Sequence, residues 1–133
     1  MNAGKVRFVY RHLVVLGAES MRAAEASECA ADQGKFWEYH DVLFLNWAGE
    51  NRGAYSDANL KSFAARIGLD AAAFGACLDG GQHAGLVREE TAKGNSLGVS
   101  STPTIFVSNT MVAGLADYSV YKRLIEQALQ QKP

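Results

Sequence analysis

The sequence predicts an α/β or α+β domain with a helical insertion. The chain has 133 residues, the length of one domain. Apolar residues make up 48% of it and charged residues 20%, which is typical of globular proteins and argues against disorder. The predicted elements run in the order strand, a series of helices, strand, strand and helix. This order, without a sequence repeat or low-complexity segment, indicates one layered domain interrupted by helices.

The first half of the chain changes from a strand pattern to helical patterns. Val6–Tyr10 is rich in β-branched and aromatic residues and predicts a strand. Residues 20–47 have apolar side chains at three- and four-residue spacing, with a break at Gly34. Ser56 is a predicted N-cap of the next helix, and Gly68 is predicted to end that helix in the left-handed conformation.

The second half ends in a predicted hairpin and helix. Asp70 is predicted to cap a short helix, and a further helix is expected over residues 82–97. Thr104–Ser108 and Met111–Ala113 predict two strands joined by a short turn. An amphipathic helix is expected from about Tyr118 to the end of the chain.

Charge and hydropathy exclude two classes of partner. Thirteen Lys and Arg against 14 Asp and Glu give a net charge of −1, so no basic surface is expected to bind nucleic acid. The longest apolar runs are too short to span a bilayer, and we expect no membrane partner. Arg7, Arg11 and His12 interrupt the first apolar residues, so the sequence predicts no signal peptide. The chain is therefore expected to be cytoplasmic if Met1 is the true start.

Three segments together resemble one protein family. They are Gly4–Arg11 (GKVRFVYR), Ala30–Asp41 (AADQGKFWEYHD) and Gly98–Val107 (GVSSTPTIFV). In this order they are similar to the DsbA-type thiol:disulfide oxidoreductases, and the resemblance covers nearly the whole chain. It implies a thioredoxin-like α/β fold with an incomplete core sheet. Residues 1–15 and 98–133 would form the thioredoxin-like part, and residues 16–97 an inserted all-helical subdomain.

The family's redox centre does not occur in these 133 residues. That centre is a Cys-x-x-Cys at the start of a helix, where the helix lowers the pKa of the attacking thiol and the second thiol resolves the mixed disulfide. Cys29 and Cys77 are far apart in sequence and do not form this motif. We therefore expect a truncated family member with no catalytic residue, no cofactor and no activity by itself.

The same departure affects the sheet. In the family's fold, a strand preceding Gly4 would lie between Val6–Tyr10 and the C-terminal hairpin, and without it two strand edges lose their partner. Unpaired edges recruit other chains. The alternatives are a sheet closed in a new register, pairing with a second copy, and an unstable chain. We expect the homodimer, because domain swapping is a low-cost route to dimers.

The resemblance also places a substrate-binding loop at Pro103. It implies a cis bond between Thr102 and Pro103 and a loop of Thr102, Pro103 and Thr104 that faces the redox cysteines. The backbone there would hydrogen-bond an extended or unfolded polypeptide as an added strand. Composition alone predicts a trans bond, since only about 5–6% of X-Pro bonds are cis.

Two interpretations of Cys29 and Cys77 remain open at the level of sequence. Free cysteine is among the most buried residue types, so they could be two separate buried thiols. The family resemblance instead suggests a structural disulfide between two helices of the insertion. Such a bridge would be favoured in an oxidising compartment.

The remaining chemically active side chains are predicted to be structural. The aromatic cluster Phe36, Trp37, Tyr39 and His40 has the spacing of a buried helix and is expected in the core. His12 and His83 are expected at the surface, and Glu89–Glu90 on a solvated helix face. No histidine has neighbours at metal-ligand spacing, so no metal site is predicted.

The resemblance predicts an oxidoreductase that exchanges disulfides with other proteins. In its complete form it would be located outside the cytoplasm. One alternative is a non-catalytic module that binds peptides. Another is a relative of the kappa-type glutathione-dependent isomerases and transferases. The segment from Gln33 to Trp37 favours the oxidoreductases over the glutathione enzymes.

Overall fold

The computed structural model describes residues 4–130 of the chain. The described part contains six helices and two strands. In chain order these are α1 (Ala18–Ala31), α2 (Phe36–Leu45), α3 (Asp57–Arg66), α4 (Ala71–Asp79), α5 (Ala84–Ser96), β1 (Thr104–Val107), β2 (Thr110–Ala113) and α6 (Tyr118–Gln130). None of these helices is long and apolar enough to cross a membrane.

The described residues divide into two compact units. The helical unit comprises residues 12–92, and the hairpin unit comprises residues 4–11 together with 93–130. Helix α5 contributes residues to both. The predicted insertion, residues 16–97, overlaps most of the helical unit.

The helical unit has a single apolar core built from α1 to α4. Small residues of α1, including Ala26 and Ala30, are fully buried and allow the neighbouring helices to approach closely. Tyr39 of α2 is also fully buried, and its hydroxyl donates to the Leu60 carbonyl of α3 at 2.9 Å. Burial raises the pKa of Tyr39 well above its usual range, since the ionised form would lose its hydration.

The predicted roles of Ser56, Gly68 and Asp70 at helix ends are confirmed, whereas α2 ends at Leu45 and α5 begins at Ala84, two residues inside the predicted limits. The Ser56 hydroxyl accepts from the Asn59 amide at the start of α3, and the Asp70 carboxylate accepts from the Ala73 amide at the start of α4. Gly68 follows α3 with φ +73°, the left-handed conformation that glycine adopts without a steric penalty.

The hairpin unit contains an antiparallel sheet of two strands. Thr104 lies opposite Ala113, and Val107 lies opposite Thr110, so residues 108–109 form the turn. Ser108 has φ +51°, and β2 begins one residue earlier than predicted. Helix α6 packs against β1.

The prediction of a strand at Val6–Tyr10 is wrong. This segment has no strand assignment, and within residues 4–130 the sheet contains β1 and β2 alone. Phe8 and Val9 are about half exposed. β-branched and aromatic residues favour a strand because their side chains pack well on a sheet. They form one only where a neighbouring strand completes the hydrogen bonds.

Candidate substrate-binding hairpin and cysteine cluster

The three residues predicted to bind substrate lie together at the start of the hairpin. The peptide bond between Thr102 and Pro103 is cis, and both side chains are exposed. The Pro103 carbonyl accepts from the Gly114 amide at 2.8 Å, and the Thr104 hydroxyl donates to the Ser101 carbonyl at 2.7 Å. These two hydrogen bonds fix the loop to the base of the hairpin.

The outer edge of β1 follows directly from this hydrogen-bonding pattern. The backbone carbonyl of Pro103 faces β2. Because backbone groups alternate in direction along an antiparallel strand, the N–H and C=O groups of Ile105 and Val107 face β2 as well. The N–H and C=O groups of Thr104 and Phe106 then point away from β2. No other strand pairs with β1 among the residues that the structure describes.

Two large apolar side chains lie beside this edge. Phe106 and Met111 are directly opposite each other on one face of the hairpin, and they are 43% and 44% exposed. Leu115, just beyond β2, is 93% exposed. The hairpin therefore offers backbone donors and acceptors at its edge and an apolar face next to them, the features that an extended peptide uses in strand addition.

Cys29 and Cys77 form a disulfide in the structure, which joins α1 to α4. Both cysteines are buried within the helical unit. Of the two interpretations left open by the sequence, this is the structural bridge. It is not a Cys-x-x-Cys dithiol, so the helical unit has no site of that type within residues 12–92.

A histidine and a carboxylate lie beside the disulfide. His83 follows α4, and its Nε2 lies 2.7 Å from the Oδ2 of Asp32, the residue at the end of α1. The same Asp32 oxygen is 3.9 Å from the Cys77 Sγ. A ring nitrogen of His83 and the sulfurs of Cys29 and Cys77 all lie within 4.8 Å of one another. Sequence analysis missed this cluster because its four members come from two segments that are far apart in sequence, and only tertiary packing joins them.

Several predictions about histidines and aromatic residues need correction. His12 is buried, its amide donates to Glu90 at 2.8 Å, and its Nε2 lies 2.7 Å from Glu28. Glu90 is consequently not a purely solvated residue. Of the aromatic cluster only Tyr39 is fully buried, and Trp37 is 48% exposed. The other rings of this cluster contact one another along α2 rather than being buried in the core.

A charged network links α1 to α3 and α4. Arg22 donates to both carboxylate oxygens of Asp57, to the buried Glu25 and to the Leu78 carbonyl. The hydrogen bond from Arg22 lowers the pKa of Asp57, and that same hydrogen bond raises the pKa of Arg22. The network joins three helices of the helical unit, and the Leu78 carbonyl that it uses directly follows Cys77 in the sequence.

The chain is similar to curated proteins of two kinds. It is 36% identical over 105 residues to the Na(+)/H(+) antiporter NhaA 3 of Salinispora tropica, which covers 77% of this chain and 15% of the antiporter. It is 33% identical over 121 residues to the Na(+)/H(+) antiporter NhaA of Herminiimonas arsenicoxydans, covering 91% of this chain and 18% of that protein. It is also 26% identical over 144 residues to disulfide bond formation protein D of Bacillus subtilis, covering 99% of this chain and 61% of the relative.

Solved structures share the fold. A thioredoxin-like oxidoreductase from Silicibacter pomeroyi has a TM-score of 0.75 at 23% identity, covering 93% of this chain and 69% of the other. The thiol-disulfide exchange protein alpha-DsbA2 from Wolbachia pipientis has a TM-score of 0.79 at 23% identity, covering 96% and 68%. A family model described as thioredoxin matches residues 1–127. The chain therefore belongs to the thioredoxin family, and its fold is that of the DsbA-type thiol-disulfide exchange proteins.

Proposed function

We propose that this chain supplies the polypeptide-binding part of a DsbA-type thiol:disulfide oxidoreductase. The observation that carries the proposal is the outer edge of β1, which begins directly after the exposed residues Thr102 and Pro103. An extended substrate would hydrogen-bond the backbone beside Pro103 and, where no redox strand occupies the outer edge of β1, pair with Thr104 and Phe106 as an added strand. The apolar face of Phe106 and Met111 would bind substrate side chains.

The chemistry of the proposal comes from a relative. Disulfide bond formation protein D of Bacillus subtilis is named for forming disulfides, and this chain spans 61% of it. Because the 133 residues contain no Cys-x-x-Cys, the exchanging dithiol would come from outside them. We therefore expect the chain alone to reduce insulin at the background rate. Activity that disappears on substitution of Cys29 would contradict this assignment.

An extracytoplasmic location for the complete protein belongs to the same proposal. Disulfides form and persist in oxidising compartments and are rare in the cytosol. The bridge between Cys29 and Cys77 supports such a compartment.

Binding of an unfolded polypeptide tests the proposal. We suggest a fluorescently labelled, reduced and alkylated polypeptide, with anisotropy measured as the chain is titrated. Phe106→Pro removes an N–H from the outer edge of β1 without removing a β1–β2 hydrogen bond. Met111→Pro is the matched control, because its N–H points from the other edge of the hairpin and its side chain is equally exposed.

The proposal expects Phe106→Pro to weaken binding about three- to tenfold relative to Met111→Pro, the effect of one net hydrogen bond. Equal loss in both variants would show that the apolar face binds the polypeptide without strand addition. Unchanged binding in both would remove the hairpin from the site. Sedimentation of the free chain tests whether a second copy of the chain occupies this edge instead, which would give a doubled mass.

A further inference from the structure

We propose that Cys29, Cys77 and His83 form a zinc site when the disulfide is reduced, with Asp32 positioning the histidine. In the oxidised protein the two sulfurs are bonded to each other and provide no thiolate. Reduction would therefore convert a structural bridge into a metal site. This proposal does not depend on the proposed function of the hairpin.

The distances between the donor atoms fit a shared ion. The two sulfurs and a His83 nitrogen lie within 4.8 Å of one another. Zinc binds thiolate at about 2.3 Å and imidazole at about 2.0–2.1 Å in tetrahedral geometry, which places the ligand atoms of one ion about 3.5–3.8 Å apart. Once the S–S bond is broken, the two sulfurs would move apart and the His83 ring would move toward them, so that all three donors reach one ion.

The chemistry of the donors favours zinc. Thiolates are soft ligands and imidazole suits the same metal, and sites with two cysteines and one histidine are established for zinc. Because the Asp32 carboxylate lies 2.7 Å from His83 Nε2, the proposal assigns Nδ1 as the zinc ligand, with Asp32 holding the ring from the other nitrogen. The cysteines are buried, whereas 21% of the His83 side chain and 52% of the Asp32 side chain are exposed. The ion can therefore approach from the side of His83.

The redox and binding steps balance. An external dithiol gives two electrons and two protons to the Cys29–Cys77 disulfide, which becomes two thiols, while the dithiol becomes a disulfide. Zinc then replaces the two thiol protons, which pass to solvent, and two Zn–S bonds form. The neutral imidazole of His83 adds the third bond through a lone pair without releasing a proton.

The experiment measures metal binding by the whole chain in both redox states. The protein is reduced with dithiothreitol, desalted under argon and titrated with Zn²⁺ against a chromophoric chelator. Co²⁺ is used in parallel, because thiolate ligation of cobalt gives a charge-transfer absorption. We expect one metal ion per chain in the reduced protein and none in the oxidised protein.

Three variants assign the ligands. His83→Ala should weaken Zn²⁺ affinity at least about tenfold, and Asp32→Asn about tenfold while the thiolate–cobalt absorption persists. His40→Ala is the matched control, because His40 also lies next to a carboxylate, with its Nδ1 3.0 Å from Asp41. We expect its affinity to equal that of the unmodified chain. Each oxidised variant is checked by circular dichroism for retention of the fold.

Several outcomes would overturn the site. They are equal binding by the oxidised protein, an affinity in His83→Ala equal to that in His40→Ala, or one ion bound per two chains with a doubled mass. If the reduced chain unfolds without metal, the proposal requires Zn²⁺ to restore its helical content, since binding to a folded site favours the folded state. Binding without recovery of the fold would contradict it.

Discussion

Reduction of the disulfide should destabilise the helical unit by an amount that follows from its loop. Cys29 and Cys77 are 48 positions apart, so the bridge restricts a large part of the unfolded chain. The chain-entropy relation gives about 14 cal/mol/K for a loop of about 48 residues, or about 4 kcal/mol at 25 °C. With a urea m-value of about 1–2 kcal/mol/M, the unfolding midpoint should fall by about 2–4 M.

Tryptophan fluorescence reports this change selectively. The chain has two tryptophans, Trp37 and Trp47, and both lie in the helical unit. Urea unfolding is compared with and without dithiothreitol, with EDTA present so that zinc does not stabilise the reduced protein. The Cys29→Ala/Cys77→Ala variant is the control, because the reductant should leave its midpoint unchanged. A loss below about 1 kcal/mol in the unmodified chain, or two alkylatable thiols before reduction, would refute the reasoning.

Two further substitutions test the packing of the helical unit. Tyr39→Phe should lower the free energy of unfolding by about 1 kcal/mol, because it removes the buried hydrogen bond to Leu60, and an unchanged urea midpoint would contradict this. Arg22→Met should lower the free energy of unfolding by about 2–3 kcal/mol, because buried Glu25 loses its ion pair. The loss should be smaller than the roughly 3–5 kcal/mol of a fully buried pair, because Arg22 is partly exposed. Since Arg22 lowers the folded-state pKa of Asp57, that contribution is present at neutral pH and is lost as the pH falls below about 3.8 through the lowered value. Unfolding curves of the variant should therefore lack this acid-dependent part, and an identical pH dependence in both proteins would exclude the assigned role.

The elements predicted correctly are those specified by neighbouring residues. Ser56 and Asp70 cap helices through amides three residues further along the chain, so their role depends on local sequence alone. The hairpin from Thr104 to Ala113 is equally local, because a two-residue turn joins its strands. A strand at Val6–Tyr10 needs a partner strand from elsewhere in the chain, and the local residues that favour a strand do not predict whether such a partner exists.

The candidate sites follow the same division. Thr102 and Pro103 were predicted from a contiguous motif, and the structure places them at one exposed loop. Asp32 and His83 were not predicted, because 51 positions separate them and neither has a metal-ligand neighbour in sequence. Burial of His12 was missed for the same reason, since its partner Glu90 is 78 positions away.

The outer edge of β1 can pair with one strand at a time, and this connects the proposed partners. An extended polypeptide and a second copy of the chain would use the same N–H and C=O groups of Thr104 and Phe106. Binding of one therefore excludes the other. If a homodimer forms through this edge, the apparent affinity of the chain for the polypeptide should fall as the chain concentration rises. Phe106→Pro should reduce both dimerisation and polypeptide binding. A dimer that persists with saturating polypeptide would have to use a different surface. Competition between the polypeptide and the second copy would therefore show that recognition and self-association use the same edge of β1.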